Sequence, residues 1–370
     1  MSSLKNHKRI HFIVPYPFDI APGQRFRYEQ YLSLLKENGY HLSIFPFLSV
    51  ATNNILYKKG NFGKKTIGVL AGFIRRILYL PLHLQADFIF IFREATPLGP
   101  PFIEWILAKV FRKKIIYDFD DAIWLPNTSN ENKIISWLKW HSKVKSICRW
   151  SYKVSCGNEY LCAFAKSYSS SVVLNPTTIE TDDLHNPLKN KSKLEKSQSE
   201  KITIGWTGSH STIKYLSLVE KVIQRLEKKI SNLEFIVIAD TKPLLNISSL
   251  HFIPWSKENE VESLLKIDIG IMPLTDDLWA KGKCGFKALQ YMALQIPVVA
   301  SPVGINNKII DPGINGFFAS SEQEWIISLT KLLQDAQLRY TMGKQGREKI
   351  LKGYSVNSNT QNFLRLFSSY

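Results

Sequence analysis

The chain has 370 residues, enough for two domains at roughly 100 to 200 residues each. Hydrophobic residues make up 45% and charged residues 21%, which excludes a disordered chain and a fibrous repeat. Lys and Arg number 48 against 31 Asp and Glu, a formal +17, so the surface either meets something anionic or carries its own self-repulsion. Cys148, Cys156, Cys162 and Cys284 contain no C-x-x-C pair, so free thiols, a reducing compartment and no zinc site are expected.

The basic start MSSLKNHKRIHFIV reads as a first strand, because its short apolar run continues directly into PYPFD without a small-residue cleavage site. A Pro/Gly-rich loop, PYPFDIAPGQ, and an amphipathic stretch ending at Gly39 follow it. HLSIFPF, DFIFIF and KIIYDF repeat the strand signal, and VSCGN and SVVLN close this half. Their near-continuous apolar character is that of parallel strands covered on both faces.

Between these strands, three stretches mix bulky apolar with basic residues: KKTIGVLAGFIRRILYLPLHL, FIEWILAKVFRKK, and SWLKWHSKVKSICRWSYK with Trp137, Trp140 and Trp150. The first is split by Arg75 and Arg76 and contains Pro81, so no bilayer-crossing helix is expected there. Residues 1–180 carry 24 basic and 12 acidic side chains, a net +12, against 24 and 19 in the remainder. This pattern suits a surface lying on anionic lipid headgroups, and equally suits ordinary helix cores with a solvated lysine face. No nucleic-acid-binding pattern accompanies the charge, so nucleic acid is not an expected partner.

Residues 181–200 are polar, lysine-rich and free of aromatics, and read as an exposed connection. The strand and helix alternation then restarts through KITIGWTG, EFIVIAD, HFIPW, DIGIMPL and PVVAS. The expected division is a Rossmann-like domain at 1–180, a linker at 181–200, a second Rossmann-like domain at 201–352, and a C-terminal helix at 353–370 packing back on the first domain. Two such α/β, doubly wound domains facing across a cleft would place their strand-to-helix loops around a ligand.

Two segments carry chemistry. In GWTGSHST, Gly208 allows close backbone approach, and Ser209, His210, Ser211 and Thr212 offer amides and polar side chains for phosphate oxygens; such turns are also common as plain turns. In WAKGKCGFKALQYMALQIPVVASPVG, Lys283 and Lys287 are four positions apart and are expected to share a helix's first turn, with Gly304 returning to the same rim. Basic residues there oppose the helix dipole, and a bound diphosphate would offset that cost.

These segments, with IDIGIMPL and the NGFFA turn, resemble glycosyltransferase family 4, enzymes of GT-B fold that move a sugar from a nucleotide-sugar with retention of configuration. YDFDDAIW and VVLNP echo it in the first half. The resemblance implies a hexose-transferring enzyme of cell-surface glycan synthesis with a lipid-linked or polysaccharide acceptor, and together with the basic, apolar first half it gives the expectation of a cytoplasmic protein peripheral on the inner face of the plasma membrane. It implies donor contacts at Gly208, Ser209, Lys283, Lys287 and Gln290, and no metal or other cofactor. His210 and Gly304 are further candidate donor contacts from their place in the loops, though a lone histidine is more often structural. Gly23, Arg25 and Arg27 of APGQRFR would border the acceptor, with the Arg25 guanidinium stabilising the leaving diphosphate.

Arg93, Asp118, Asp120 and Asp121 end two strands at the rim, where the carboxylates bind acceptor hydroxyls or cap structure, with a divalent ion as the second choice. The family's two signature glutamates are replaced by Gly282 and Gln290, so a scaffold that binds without turnover is the alternative.

Overall fold

The computed structural model describes residues 8–56, 58, 60–126, 138–189 and 201–368. Trp137 and residues 190–200 of the expected linker therefore lie outside the described residues. The chain divides into two units: Met1–Thr177 with Gly282–Cys284 and Asn359–Tyr370, and Thr178–Lys281 with Gly285–Ser358.

The first unit is built on strands β1 (Arg9–Val14), β2 (His41–Pro46), β3 (Phe88–Phe92), β4 (Lys114–Phe119), β5 (Lys153–Cys156) and β6 (Val172–Leu174), all parallel in the order β2-β1-β3-β4-β5-β6. Every residue of β3 is buried, as its FIFIF sequence requires of a central strand covered on both faces. The chain runs outward from β1 to β2, then reverses across β1 to β3 and continues to β6. Right-handed crossovers therefore put helices α1 (Pro22–Arg25) and α2 (Leu32–Glu37) on one face, and α4 (Phe62–Tyr79) and α5 (Phe102–Trp105) on the other; α3 (Val50–Leu56) precedes α4. The C-terminal segment joins the first of these faces. Phe363 stacks on Tyr31 with centroids 4.1 Å apart, and Phe367 packs against Phe12, Phe88 and Phe90.

In α4 the arginine pair does not interrupt the helix. Arg76 turns inward and donates to the carbonyls of Val14 (2.7 Å), Phe45 (2.6 Å) and Ala95 (2.7 Å), tying α4 to the ends of three strands. Burial pulls its pKa down to about 9, with the nearby Glu104 acting in the other direction. The helical run Phe62–Gln85 is long and apolar enough to cross a membrane by length and composition, which the sequence pattern did not suggest. In the third basic stretch Lys145 and Arg149 are exposed as expected of a solvated face, and Lys143 is the exception. Lys143, in the helix Lys143–Trp150, is buried, donates to the Thr96 carbonyl at 2.7 Å and pairs with Glu94 at 2.8 Å.

The second unit repeats the architecture with β7 (Ile202–Thr207), β8 (Leu233–Ala239), β9 (Leu250–Pro254), β10 (Ile269–Met272), β11 (Val298–Ala300) and β12 (Gly316–Phe318), parallel in the order β12-β11-β10-β7-β8-β9. Its core gathers Ile204, Trp206, Val237, Ile271, Val299 and Trp325 between the sheet and the flanking helices. The strand order reverses between β7 and β10, and in open parallel sheets the carboxyl ends at such a reversal are where ligands bind.

Candidate active site

The loop after β7 sits at that reversal. Gly208 donates to the Ile238 carbonyl at 3.0 Å, and a Cβ on it would come within 2.3 Å of the Trp206 ring, so only glycine fits. The Ser209 amide donates to Thr212 Oγ1 at 3.1 Å, and the Ser209 and Ser211 hydroxyls are 2.9 Å apart. His210 is held by Asp240 at the end of β8: its amide donates to Oδ1 and its Nδ1 lies against Oδ2, both at 2.6 Å. Asp240 ends EFIVIAD, where an acid at a strand's carboxyl end is a readable rim signal that the sequence reading passed over.

Across the reversal, between β10 and β11, stands the helix Phe286–Ala293, entered through Gly285 with φ 72°. Lys287 lies in its first turn with Nζ 5.4 Å from the centroid of the Trp206 ring, an arrangement that offsets a cation's unfavourable position at a helix N-terminus. Lys283 does not share that turn. It precedes Gly285, belongs to the first unit, and places Nζ 3.3 Å from Asp121 Oδ1. The expected lysine pair on one helix face is thus corrected to a single helix lysine, because the left-handed glycine delays the helix start.

Gln290 is 2% exposed, and its Nε2 donates to Glu260 Oε1 at 3.2 Å. Glu260, at the start of the helix Glu260–Leu264, brings a carboxylate to the position where the signature's own glutamate is missing. Nothing local in the sequence points to this pairing. Gly304 has φ 56° and packs on the backbone of Lys281, where a Cβ would meet the carbonyl oxygen at 2.9 Å. Its place is a tight turn beside the site.

In the first unit, a Cβ on Gly23 would lie 3.7 Å from both Arg93 and Asp120, so these three gather at the carboxyl ends of β1, β3 and β4. Arg93 adopts φ 60°, with its carbonyl accepting from the Tyr117 hydroxyl at 2.7 Å. Its side chain grips Asp120 and Asp121, each at 2.7 Å. Burial pushes the Asp120 carboxyl above its usual range, while Arg93 pulls against it. Arg25 is buried, with Nε 3.7 Å from Asp19 Oδ1 and its guanidinium over the Phe26 ring.

Arg27 and Asp118 are not at the rim. They are 2% and 0% exposed and form a two-pronged pair, with Ser155 Oγ also donating to Asp118 and Arg27 reaching the Asn175 carbonyl. Their expected acceptor contacts are corrected to an internal tie between the segment after β1 and strand β4. Burial opposes the Arg27 charge, but Asp118 more than compensates and holds its pKa above the ordinary value.

The signature's first acid position is closed. Gly282 lies in the first unit with its carbonyl accepting from Asn158 Nδ2 at 3.1 Å, and a Cβ there would come within 2.6 Å of Ala122 Cβ and 2.7 Å of its nitrogen. Gly282→Glu should therefore destabilise the protein by about 1–3 kcal/mol through overpacking and should not raise activity; urea denaturation and a transfer assay check both halves. Among the described residues no group of three His, Cys, Asp or Glu is arranged to hold a metal ion. Two shallow hollows, one beside Asp87 and Arg112 and one beside Lys201 and Asp268, open at the amino ends of the strands, opposite the loops described above.

Residues 201–335 match the family model of glycosyl transferases group 1. A comparison with curated protein sequences finds no significant match. Among solved structures, sucrose-phosphate synthase from Thermosynechococcus elongatus is similar over 97% of this chain and 98% of its own, with TM-score 0.71 and 13% identity. A glycosyltransferase from Rickettsia africae is similar over 98% of both chains, with TM-score 0.68 and 15% identity. Anabaena HepE, solved with UDP and glucose, is similar over 98% of this chain and 100% of its own, with TM-score 0.63 and 13% identity. At such identities the likeness establishes the fold.

Proposed function

We propose that the chain is a glycosyltransferase that moves a hexose from a nucleoside diphosphate sugar to a lipid-linked or polysaccharide acceptor, with retention of configuration, in the cytoplasm; the match of residues 201–335 to the glycosyl transferases group 1 model and the GT-B fold support this reading. The observation that carries the donor reading is Lys287 in the first turn of a helix at the sheet's reversal point, opposite the Gly208–Thr212 turn. A cation there gains most when two phosphates arrive, since they satisfy the helix amides and the ammonium together.

Catalysis in this reading is charge stabilisation and positioning. Lys287 holds the diphosphate as the glycosidic bond breaks, and a phosphate oxygen takes the proton of the attacking hydroxyl, so no separate protein base is needed. Gln290, the residue expected at the ribose, is buried with its Nε2 on Glu260, so its place here is beneath the donor site and not in contact with ribose hydroxyls. The cluster of Arg93, Asp120 and Asp121 offers acceptors and a donor for sugar hydroxyls. Uridine is the favoured base, by analogy with the UDP held in the Anabaena HepE structures.

The test is thermal unfolding of the full chain with uridine, guanosine and adenosine diphosphates. Uridine diphosphate should raise the Tm most, and a Tm indifferent to all three would remove the donor reading. The replaced signature acids favour a second reading, binding without turnover. Release of nucleoside diphosphate from the corresponding nucleotide-sugar separates the two.

A further inference from the structure

We propose that the outer face of α4 and the apolar side chains that continue it form a docking surface for an anionic lipid bilayer, on which the protein lies without crossing. Ile67, Leu70, Ile74, Ile77 and Leu78 are 56–68% exposed. At about 100° per residue they share one arc of about 100°. A helix fixed to a sheet normally turns its polar side to water; here the water-facing side is aliphatic, and a contiguous patch of that kind marks an interaction surface. Leu82 and Leu84 extend the stripe past the end of α4. On α5, which crosses the same face of the sheet, Phe102 and Trp105 stack on each other and are also exposed.

Charge selects the occupant. No Asp or Glu occurs between Glu37 and Asp87, whereas Lys58, Lys64 and Lys65 stand at or just before the start of α4; Arg75 and Arg76 donate to backbone carbonyls. A second copy of the chain docked through the same face would set this basic stretch against itself with no acid to answer it, because a two-fold interface pairs identical patches. Anionic headgroups answer Lys58, Lys64 and Lys65, while the aliphatic stripe enters the boundary of the acyl chains.

Packing settles how the helix meets the lipid. Arg76 is anchored on three carbonyls, and a Cβ on Gly72 would lie 2.7 Å from the Phe47 ring, so α4 is seated closely on its own unit. It therefore lies in the interface plane. In the third basic stretch Lys143, Val144, Ile147 and Cys148 form the buried side of their helix.

The experiment is flotation of the full chain with vesicles of phosphatidylcholine plus phosphatidylglycerol, and with phosphatidylcholine alone, at low and high salt. Binding should require the anionic lipid and weaken with salt. Replacing Ile67, Leu70, Ile74 and Leu78 by serine together should lower the partition coefficient at least about a hundredfold. Lys64→Glu with Lys65→Glu should lower it at least about tenfold. Circular dichroism and the thermal shift by uridine diphosphate should match the parent protein in both variants, which separates this surface from the donor site. The proposal is overturned if the parent ignores anionic vesicles at low salt or if the serine variant binds as well as the parent. It is equally overturned if sedimentation shows a dimer that the serine variant loses.

Discussion

Lys287→Ala should lower sugar transfer at least about a hundredfold while leaving the Tm within a degree or two of the parent. The side chain lies over the Trp206 ring at the mouth of the helix Phe286–Ala293, so its removal deletes one cation–π contact and relieves one unfavourable dipole interaction. These effects are each of order 0.5–1 kcal/mol and opposite in sign, so stability barely moves. Turnover has no such compensation, because negative charge grows on the leaving diphosphate as the glycosidic bond breaks. The check is initial rates with a nucleotide-sugar, read alongside diphosphate binding. Loss of rate beyond loss of binding is expected, and near-parental transfer would remove Lys287 from the chemistry.

Arg27→Met should destabilise the protein by about 3–5 kcal/mol, because it leaves the fully buried Asp118 carboxylate without its guanidinium. Ser155 still donates to Asp118, but one neutral hydrogen bond does not balance a buried charge. The double variant Arg27→Met with Asp118→Leu should recover much of the loss, since the pair is then replaced by apolar volume rather than broken. Urea denaturation monitored by circular dichroism gives both values. If the single variant stays within about 1 kcal/mol of the parent, Arg27 is not the internal tie described here.

The sequence showed the alternation of strands and helices because buried parallel strands such as FIFIF and EFIVIAD are conspicuous runs, and because the polar interval after residue 180 interrupts the rhythm. The turn at Gly208 was legible for a similar reason: glycine between a strand and polar helix-starting residues is a local pattern. What stayed hidden was pairing across distance. Arg27 and Asp118 are separated by 91 positions, and Gln290 and Glu260 by 30, so no periodicity joins them.

Burial misled in the same way. A cluster of three aspartates looked like a rim feature, yet the sheet register puts Asp118 inside, hydrogen-bonded to Ser155, and leaves Asp120 and Asp121 to Arg93. The helix start was misread for a local reason, since Gly285 takes a left-handed conformation that Lys283 cannot follow into the helix. The aliphatic side of α4 read equally as a lipid-facing surface and as ordinary core, because only the fold shows which way a stripe points.

Arg76 gives that helix a mechanical role. Its three carbonyl contacts sit just past or at the ends of β1, β2 and β3, the positions from which the loops carrying Gly23 and Arg93 depart. A sheet of lipid gripping one side of α4 would thus fix the altitude of those loops above the headgroups. Acceptors tethered at a matching height would arrive in register, and those on longer or shorter stalks would miss.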